Sequence, residues 1–277
     1  MDIVQKLSHN DGKSPKVSIE NTEQRSIRAQ FIDQEYRLQI YLPPTYSDSS
    51  DSFPVLYLLD SDKSFGMAKD IVEWLNWSQE IPELIIVGIA YGEGTQQWWQ
   101  KRSRDYTPSK DRTKIWGDWP MAGGGANFLK FIKQELIPFV DTHYRTQGSD
   151  MAITGLSFGG LFAAYALLTE PELFNRYIMI SPAFIWDDRM LFKCLDEYSK
   201  NRDTLNARVY SVVGELDERE NIIKPWQEFF AILENRNFQG LRLTKEIIAG
   251  ETHISVYPAG FTRGLKYVFS GTEIHSR

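Results

Sequence analysis

The sequence predicts an α/β fold with a mostly parallel central sheet, antiparallel strands at its N-terminal edge and helices on both faces. Three observations predict it. Short runs that are apolar at every position recur along the chain, as is typical of parallel strands covered on both sides. Segments with apolar residues at three- and four-residue spacing lie between these runs, as helices do in an α/β domain. In one early segment, apolar and polar residues alternate on both sides of a polar turn, as is typical of a β-hairpin. The apolar runs are residues 55–59, 84–90, 151–154, 177–180 and 209–213, and residues 243–249 are a further strand candidate.

The hairpin is predicted over residues 26–42. Apolar residues alternate from Ile27 to Phe31 and again from Tyr36 to Leu42, with a polar turn near residues 33–35. The two prolines that follow, at 43 and 44, end the second strand. These strands supply the antiparallel edge.

Helices are predicted over residues 128–144, with a kink at Pro138, and over residues 161–168 and 225–235. Residues 183–205 lie between two strand runs and are long for one connecting helix. We expect them to form a cap excursion over the site, with Phe184, Trp186 and Leu191 as an apolar wall; a helix packed on the sheet is the alternative. Residues 1–277 are thus predicted to form a single domain with this excursion.

Composition excludes several classes of function. The chain has 277 residues and a net charge of −6, which argues against nucleic acid as a partner because phosphates need a basic surface. The one cysteine, Cys194, excludes an internal disulfide and a thiolate zinc site, and we read it as structural. Gly123–Gly125 does not match a phosphate-binding loop. We therefore expect no metal and no cofactor.

We expect no membrane contact and a cytoplasmic location. The longest apolar stretch, residues 158–168, is too short to span a bilayer, and residues 1–15 are polar without the apolar core of a signal peptide. The sequence leaves the oligomeric state open.

A nucleophile is indicated at Ser157. The segment from Gly155 to Gly159 matches the pattern G-x-S-x-G, in which glycines let a serine stand on a tight strand-to-helix turn. A predicted strand ends just before it and a predicted helix begins just after it. The alternative is a glycine-rich turn without chemistry.

The base for such a serine is predicted to be His253. Of the four histidines, only His253 both follows Ser157 and lies in the loop after the last predicted strand. That is the order expected for a nucleophile elbow of this type. His9 and His275 lie close to the ends of the chain, and His143 precedes the serine.

The acid is expected in the loop after residues 209–213. This loop offers four carboxylates, at Glu215, Asp217, Glu218 and Glu220. We favour Asp217, with Glu215 as the alternative, and a Ser–His dyad without an acid also stays open. Its task would be to orient the imidazole.

Two backbone N–H groups are expected to bind the oxyanion. They are predicted at Phe158, directly after the serine, and in the loop after the third strand, at Asp62.

An aromatic and basic cluster is the candidate substrate-binding region. Trp98, Trp99, Arg102 and Arg104 lie within eleven residues, 96–106, and could stack an aromatic group or hold an anion. The alternative is a packed loop whose arginines pair with acids such as Asp105.

Together these features resemble the esterase D family of α/β-hydrolases, in particular its siderophore trilactone esterases. The resemblance covers nearly the whole chain and rests on residues 36–44, 55–62, 102–108, 123–144, 155–160 and 181–182. It implies hydrolysis of a carboxylic ester through a serine acyl-enzyme, without a metal, with Ser157 and His253 in the roles above. The expected partner is a small-molecule ester with a small or aromatic acyl group. A siderophore trilactone, an acyltransferase reaction and a non-catalytic binding role are the alternatives.

Overall fold

The computed structural model describes residues 18–92 and 95–271. The expectation of no signal peptide, and two of the histidines, His9 and His275, fall outside these residues. Within these residues, eight strands form one sheet. They are β1 (Thr22–Ala29), β2 (Gln34–Tyr41), β3 (Phe53–Leu58), β4 (Ile85–Ala90), β5 (Thr146–Leu156), β6 (Arg176–Ile180), β7 (Arg208–Gly214) and β8 (Arg242–Ile248).

The described helices lie between and after the strands. They are α1 (Ser61–Trp77), α2 (Thr95–Tyr106), α3 (Gly125–Phe131), α4 (Ile137–His143), α5 (Phe158–Thr169), α6 (Trp186–Asn201), α7 (Lys224–Asn235) and α8 (Val256–Val268). Short π-helical turns precede α4 and α7, at Ile132–Leu136 and Arg219–Ile223, and a 3-10 turn covers Pro44–Ser47.

The sheet is mixed and mostly parallel, as the sequence predicts. Its strand order is β1-β2-β4-β3-β5-β6-β7-β8. The pairs β1–β2 and β2–β4 are antiparallel, and every other pair is parallel. The chain therefore has the α/β-hydrolase architecture with its antiparallel edge.

Alternate side chains of each central strand enter two separate cores. In β3, Val55 and Tyr57 pack on one face, where α3, α5, α6 and α7 lie. Leu56 and Leu58 pack on the other face, against α1 and α8. Successive side chains of a strand point to opposite faces, so a run that is apolar throughout is what burial on both sides requires.

Two predicted elements differ in detail from the structure. The helical pattern of residues 128–144 is interrupted one turn before Pro138, which occupies the start of α4 where its missing N–H costs little. The segment with the two tryptophans forms α2, a helix that the sequence pattern did not predict.

The sheet brings the candidate residues to one edge. Strands β5, β7 and β8 run parallel, and Ser157, Asp217 and His253 each follow the carboxyl end of one of them. In the part of the chain that the structure describes, no helix is long and apolar enough to cross a bilayer.

Candidate active site

Ser157 lies on a sharp turn between β5 and α5. Its backbone has φ 60° and ψ −114°, a region that costs on the order of 1–3 kcal/mol for a residue with a Cβ. Gly155 permits the turn, because a Cβ at this position would lie 2.5 Å from the carbonyl carbon of Gly159. Gly155 is therefore needed for the close approach of strand and helix.

His253 and Asp217 form a hydrogen-bonded pair. His253 Nδ1 lies 3.0 and 3.1 Å from the two carboxylate oxygens of Asp217. The Asp217 side chain is fully buried, whereas that of His253 is 30% exposed. Because a carboxylate only accepts, Nδ1 carries the hydrogen, and in the neutral imidazole the lone pair is then on Nε2.

The backbone brings these two loops together. Leu216 donates its N–H to the carbonyl of Glu251 at 2.8 Å. At Gly214 a Cβ would lie 2.2 Å from that same oxygen. Only a glycine lets the end of β7 come this close to the loop that carries His253.

The other carboxylates of this loop have different partners. Glu215 accepts the N–H of Gly250 at 2.9 Å, and Glu220 pairs with Lys224. Glu218 accepts the indole N–H of Trp116 at 3.5 Å. The structure thus places Asp217, and not the alternative Glu215, beside the imidazole.

Ser157 and His253 line one cavity of about 330 Å³. Its surface is mainly aromatic, with one arginine and one carboxylate. The lining residues are Trp99, Arg102, Trp116, Trp119, Ser157, Phe158, Glu218, Ile222 and His253. Two of the rings meet that of Phe158 edge to face. The ring centroid of Trp119 lies 5.5 Å from that of Phe158, and the centroid of Trp116 lies 6.0 Å from it.

Arg102 connects the cavity wall to the nucleophile turn. Its guanidinium binds both oxygens of Asp60, at 2.7 and 2.9 Å, and donates to the carbonyl of Leu156 at 2.7 Å. Its side chain is 3% exposed and lies within 5.4 Å of the rings of Trp99 and Phe158. Burial raises the pKa of Asp60, and the pairing with Arg102 opposes that rise. Arg102 thus fixes the residue before Ser157.

Two of the four predicted binding residues do not reach the cavity. Trp98 is 7% exposed and belongs to the core. Arg104 binds Asp105 at 2.6 Å and the hydroxyl of Tyr36 at 3.2 Å. Of the four, Trp99 and Arg102 are among the described residues that line the cavity.

The two predicted oxyanion donors differ in position. Phe158 begins α5, so its N–H belongs to the first turn and lacks an intrahelical partner. Asp62 lies in the first turn of α1, and its carboxylate accepts the N–H groups of Tyr91 at 2.7 Å and Gly92 at 2.8 Å. Asp62 is not among the described residues that line the cavity.

The cavity is covered by residues 107–124, here called the roof loop, which carries Trp116 and Trp119. The sequence predicts a cap at 183–205, but none of the described lining residues lies there. That segment forms α6 and packs behind the site, with the ring of Trp186 4.9 Å from that of Phe158. The roof tryptophans were missed, although indoles in a loop rich in charges, Gly and Pro are a signal for a binding surface.

The start of α6 holds the roof loop in place. Trp186 donates its indole N–H to the carbonyl of Ser109 at 3.0 Å. Asp187 accepts the side chain of Arg112 at 2.8 Å and its backbone N–H at 3.2 Å. Asp187 and the two residues after it have positive φ, from 45° to 59°. Such a left-handed turn is unfavourable for L-residues, so this anchor is a strained one.

Comparison with known proteins identifies the family. A family model described as "Putative esterase" matches residues 29–262. The chain belongs to this esterase family. Ferri-bacillibactin esterase BesA of Bacillus subtilis is 30% identical to this esterase over 272 residues, 93% of each chain. The family and the siderophore-esterase-like branch predicted from the sequence are confirmed, and the protein is an enzyme of the hydrolase type.

Solved structures share the fold of this esterase. An IroE-like serine hydrolase of Shewanella oneidensis superposes with a TM-score of 0.81 at 26% identity, covering 92% of this chain and 82% of the other. The BES protein of Bacillus cereus superposes with a TM-score of 0.82 at 24% identity, covering 94% and 99%. These likenesses confirm the predicted α/β-hydrolase fold.

Proposed function

We propose that this esterase is a serine hydrolase that acts through an acyl-enzyme, with Ser157 as nucleophile, His253 as base and Asp217 as the acid. The observation that supports the proposal is the bond between Asp217 and His253 Nδ1, because it engages Nδ1 and leaves Nε2 to accept the proton of a nucleophile. Ser157 lines the same cavity from a strained turn.

The reaction has two matched halves. Ser157 Oγ attacks the ester carbonyl as His253 takes its proton, and the carbonyl oxygen becomes an oxyanion. The C–O bond to the alcohol then breaks, and His253 returns the proton to the leaving oxygen. A water molecule repeats the sequence on the acyl-enzyme and releases the acid. The alcohol and the acid together account for the ester and the water.

The oxyanion is stabilised by the start of α5. The N–H of Phe158 directly follows the nucleophile, and the positive end of the helix dipole lies at the same place. We propose the N–H of Asp62, in the first turn of α1 after β3, as the second donor.

The cavity favours an ester with an aromatic group. Trp99, Trp116, Trp119 and Phe158 offer ring faces and edges around Ser157. Stacked and edge-to-face aromatic contacts add about 0.5–1.5 kcal/mol each beyond simple burial. An aromatic acyl ester should therefore be a better substrate than an acetyl ester.

A siderophore trilactone is the second candidate substrate. Its support is the 30% identity with a protein named as a ferri-bacillibactin esterase, together with the aromatic cavity. Faster cleavage of a catechol trilactone than of p-nitrophenyl benzoate would favour it, and slower cleavage would leave the aromatic monoester as the substrate class.

The test of the mechanism is Ser157→Ala with p-nitrophenyl acetate as substrate. We expect turnover to fall by a factor on the order of 10³ or more. Ser199→Ala, which removes a hydroxyl from α6 outside the cavity, is the matched control and should keep full activity. Equal turnover in wild type and Ser157→Ala would overturn the assignment.

Two further measurements separate the alternatives. A fluorophosphonate probe should label wild type and not Ser157→Ala; a protein that only binds its ligand would not be labelled. Added alcohol acceptors should yield little transferred product, whereas an acyltransferase would convert most of the acyl group to a new ester.

A further inference from the structure

Three arginines stand side by side at the edge of the sheet opposite Ser157. Arg176 begins β6, Arg208 begins β7 and Arg242 begins β8. Their Cα atoms are register partners, first Arg176 with Arg208 and then Arg208 with Arg242. Neighbouring strands lie about 4.8 Å apart, so the three side chains leave the sheet in one row.

The row lines a depression of about 290 Å³. Asn175 and Asn206 precede two of the strands and add amide groups to the lining, and Gly240 is also part of it. Backbone hydrogen bonds fix the chain here. The backbone N–H of Arg208 donates to the carbonyl of Asn175, and that of Arg242 donates to the carbonyl of Ala207, both at 2.9 Å. The depression is therefore a fixed polar feature of the sheet.

The positive charges exceed the negative charges that contact them. Arg176 is 7% exposed and binds both oxygens of Asp150, one at 2.8 Å, and also the carbonyl of Val268. Arg208 donates to the hydroxyl of Ser270 at 3.2 Å and to its carbonyl. Within residues 18–92 and 95–271, neither Arg208 nor Arg242 forms an ion pair with a carboxylate. The three arginines and the one carboxylate of Asp150 together therefore carry a net charge of +2.

This row of like charges is unfavourable while it is empty. Like charges on directly paired residues destabilise a sheet. The pKa of Arg208 is lowered, first by burial and then by the neighbouring Arg176 and Arg242. An anion in the depression would relieve this repulsion, so the fold gains from binding one.

We propose that the depression is a binding site for a doubly charged oxyanion of the phosphate class, held by the guanidinium groups of Arg208 and Arg242. A guanidinium presents paired N–H donors that match two phosphate oxygens. The dianion balances the net charge of the site, and Asn175 and Asn206 add polar side chains to its lining. Asp150 keeps Arg176 engaged, which leaves Arg208 and Arg242 to hold the ligand.

The site is separate from the esterase cavity. The parallel strands run between the two, with the arginines at their amino ends and Ser157, Asp217 and His253 beyond their carboxyl ends. Binding of the oxyanion should therefore stabilise the folded protein without being required for ester hydrolysis.

The experiment is isothermal titration calorimetry of the full chain with inorganic phosphate, at an ionic strength matched with sodium chloride. We expect saturable binding to wild type, weakened roughly tenfold or more by Arg208→Gln and by Arg242→Gln, because each removes a charge-assisted contact. Arg28→Gln is the matched control. It removes the same charge from β1, at the far end of the sheet, and should bind phosphate as wild type does. A rise in Tm with phosphate that is lost in the two variants is the second readout.

The ligand source is resolved by parallel titrations with glycerol 2-phosphate and citrate. Binding of the monoester as tightly as phosphate would identify an organic phosphate, and binding of inorganic phosphate alone would identify the free ion; both support the site. Tighter binding of citrate than of either would overturn the phosphate class. Equal phosphate affinity in wild type, Arg208→Gln and Arg242→Gln would overturn the site itself.

Discussion

The two sides of the esterase cavity are held by different kinds of interaction. Ser157, Asp217 and His253 are placed by backbone, through the strained elbow and the contact between the loops after β7 and β8. Trp116 and Trp119 are placed by side chains, through the bonds of the roof loop to Glu218 and to the start of α6.

This difference suits the two sides to different tasks, one side to the reaction and the other to recognition of the substrate. A proton transfer tolerates little displacement, so its groups belong on rigid elements with fixed rotamers. Aromatic contacts with a substrate tolerate more, and a long loop tied at a few points can vary in sequence without moving the nucleophile. Substitutions on the two sides should therefore change different kinetic quantities.

The largest effect is expected from Asp217→Asn. It removes the carboxylate that orients His253, so kcat should fall by roughly 10³–10⁴-fold, as in other serine hydrolases that lose this group. Glu215→Gln is the matched control, because its carboxylate binds the N–H of Gly250 instead. Its kcat should stay within roughly threefold of wild type. The opposite ranking of the two variants would assign the acid to Glu215.

The next effect is expected from Gly214→Ala. The new Cβ would lie 2.2 Å from the carbonyl oxygen of Glu251 and would push the two loops apart. We expect a loss of about 1–3 kcal/mol in the free energy of unfolding, measured in urea, together with reduced kcat. Gly148→Ala meets nothing within 4 Å and should leave both quantities near wild type. If Gly214→Ala were as stable and as active as wild type, close contact between the two backbones would not be what places Asp217 beside His253.

A smaller and selective effect is expected from Trp119→Ala. Loss of one ring from the roof should lower kcat/KM for p-nitrophenyl benzoate by roughly tenfold, since an aromatic contact is worth up to about 1.5 kcal/mol. The value for p-nitrophenyl acetate should change less. Trp74→Ala, on the exposed face of α1, is the control. A uniform loss on both substrates would show that the roof also affects the reaction itself.

The smallest effect is expected from Asp187→Asn, which weakens the anchor of the roof loop. Burial acts to raise the pKa of Asp187, but the hydrogen bonds of Arg112 outweigh it and the pKa is lowered. Because folding lowers this pKa, the carboxylate stabilises the fold at pH values above its unfolded pKa of about 3.9. That stabilisation is lost as the pH falls through the pKa of the folded state. We expect a loss of about 1 kcal/mol at pH 7. The difference in the free energy of unfolding between wild type and Asp187→Asn should narrow as the pH falls below about 4. A difference that is the same at every pH would show that the charge of the carboxylate contributes nothing.

The sequence predicted the parts of the fold that depend on local pattern. Fully apolar runs identified the buried parallel strands, and alternation identified the hairpin, because strand periodicity is a direct consequence of which faces are covered. The glycines around Ser157 identified the turn for a similar reason: a Cβ at Gly155 cannot fit, so the constraint is visible in the residue itself.

The composition of a segment was a weaker guide to its surroundings. Trp98 and Trp99 are adjacent and chemically identical, yet one is buried in the core and the other lines the cavity. Arg102 and Arg104 are both held by aspartates, and only Arg102 reaches the cavity. The position of each residue around the axis of α2 decides these outcomes, and the sequence pattern did not predict this helix.

The amino-acid sequence by itself determined the order of strands and helices, the elbow at Ser157 and the position of His253 after the last strand, because each depends on residues close together in the chain. Only the tertiary structure decided which carboxylate meets the imidazole and which loop covers the cavity. Those depend on the approach of segments far apart in sequence: Gly214 against Glu251 for the acid, and the roof loop against α6 for the cover. Close packing between distant segments has no local signature, because the residues that permit it, such as a single glycine, look the same in any loop.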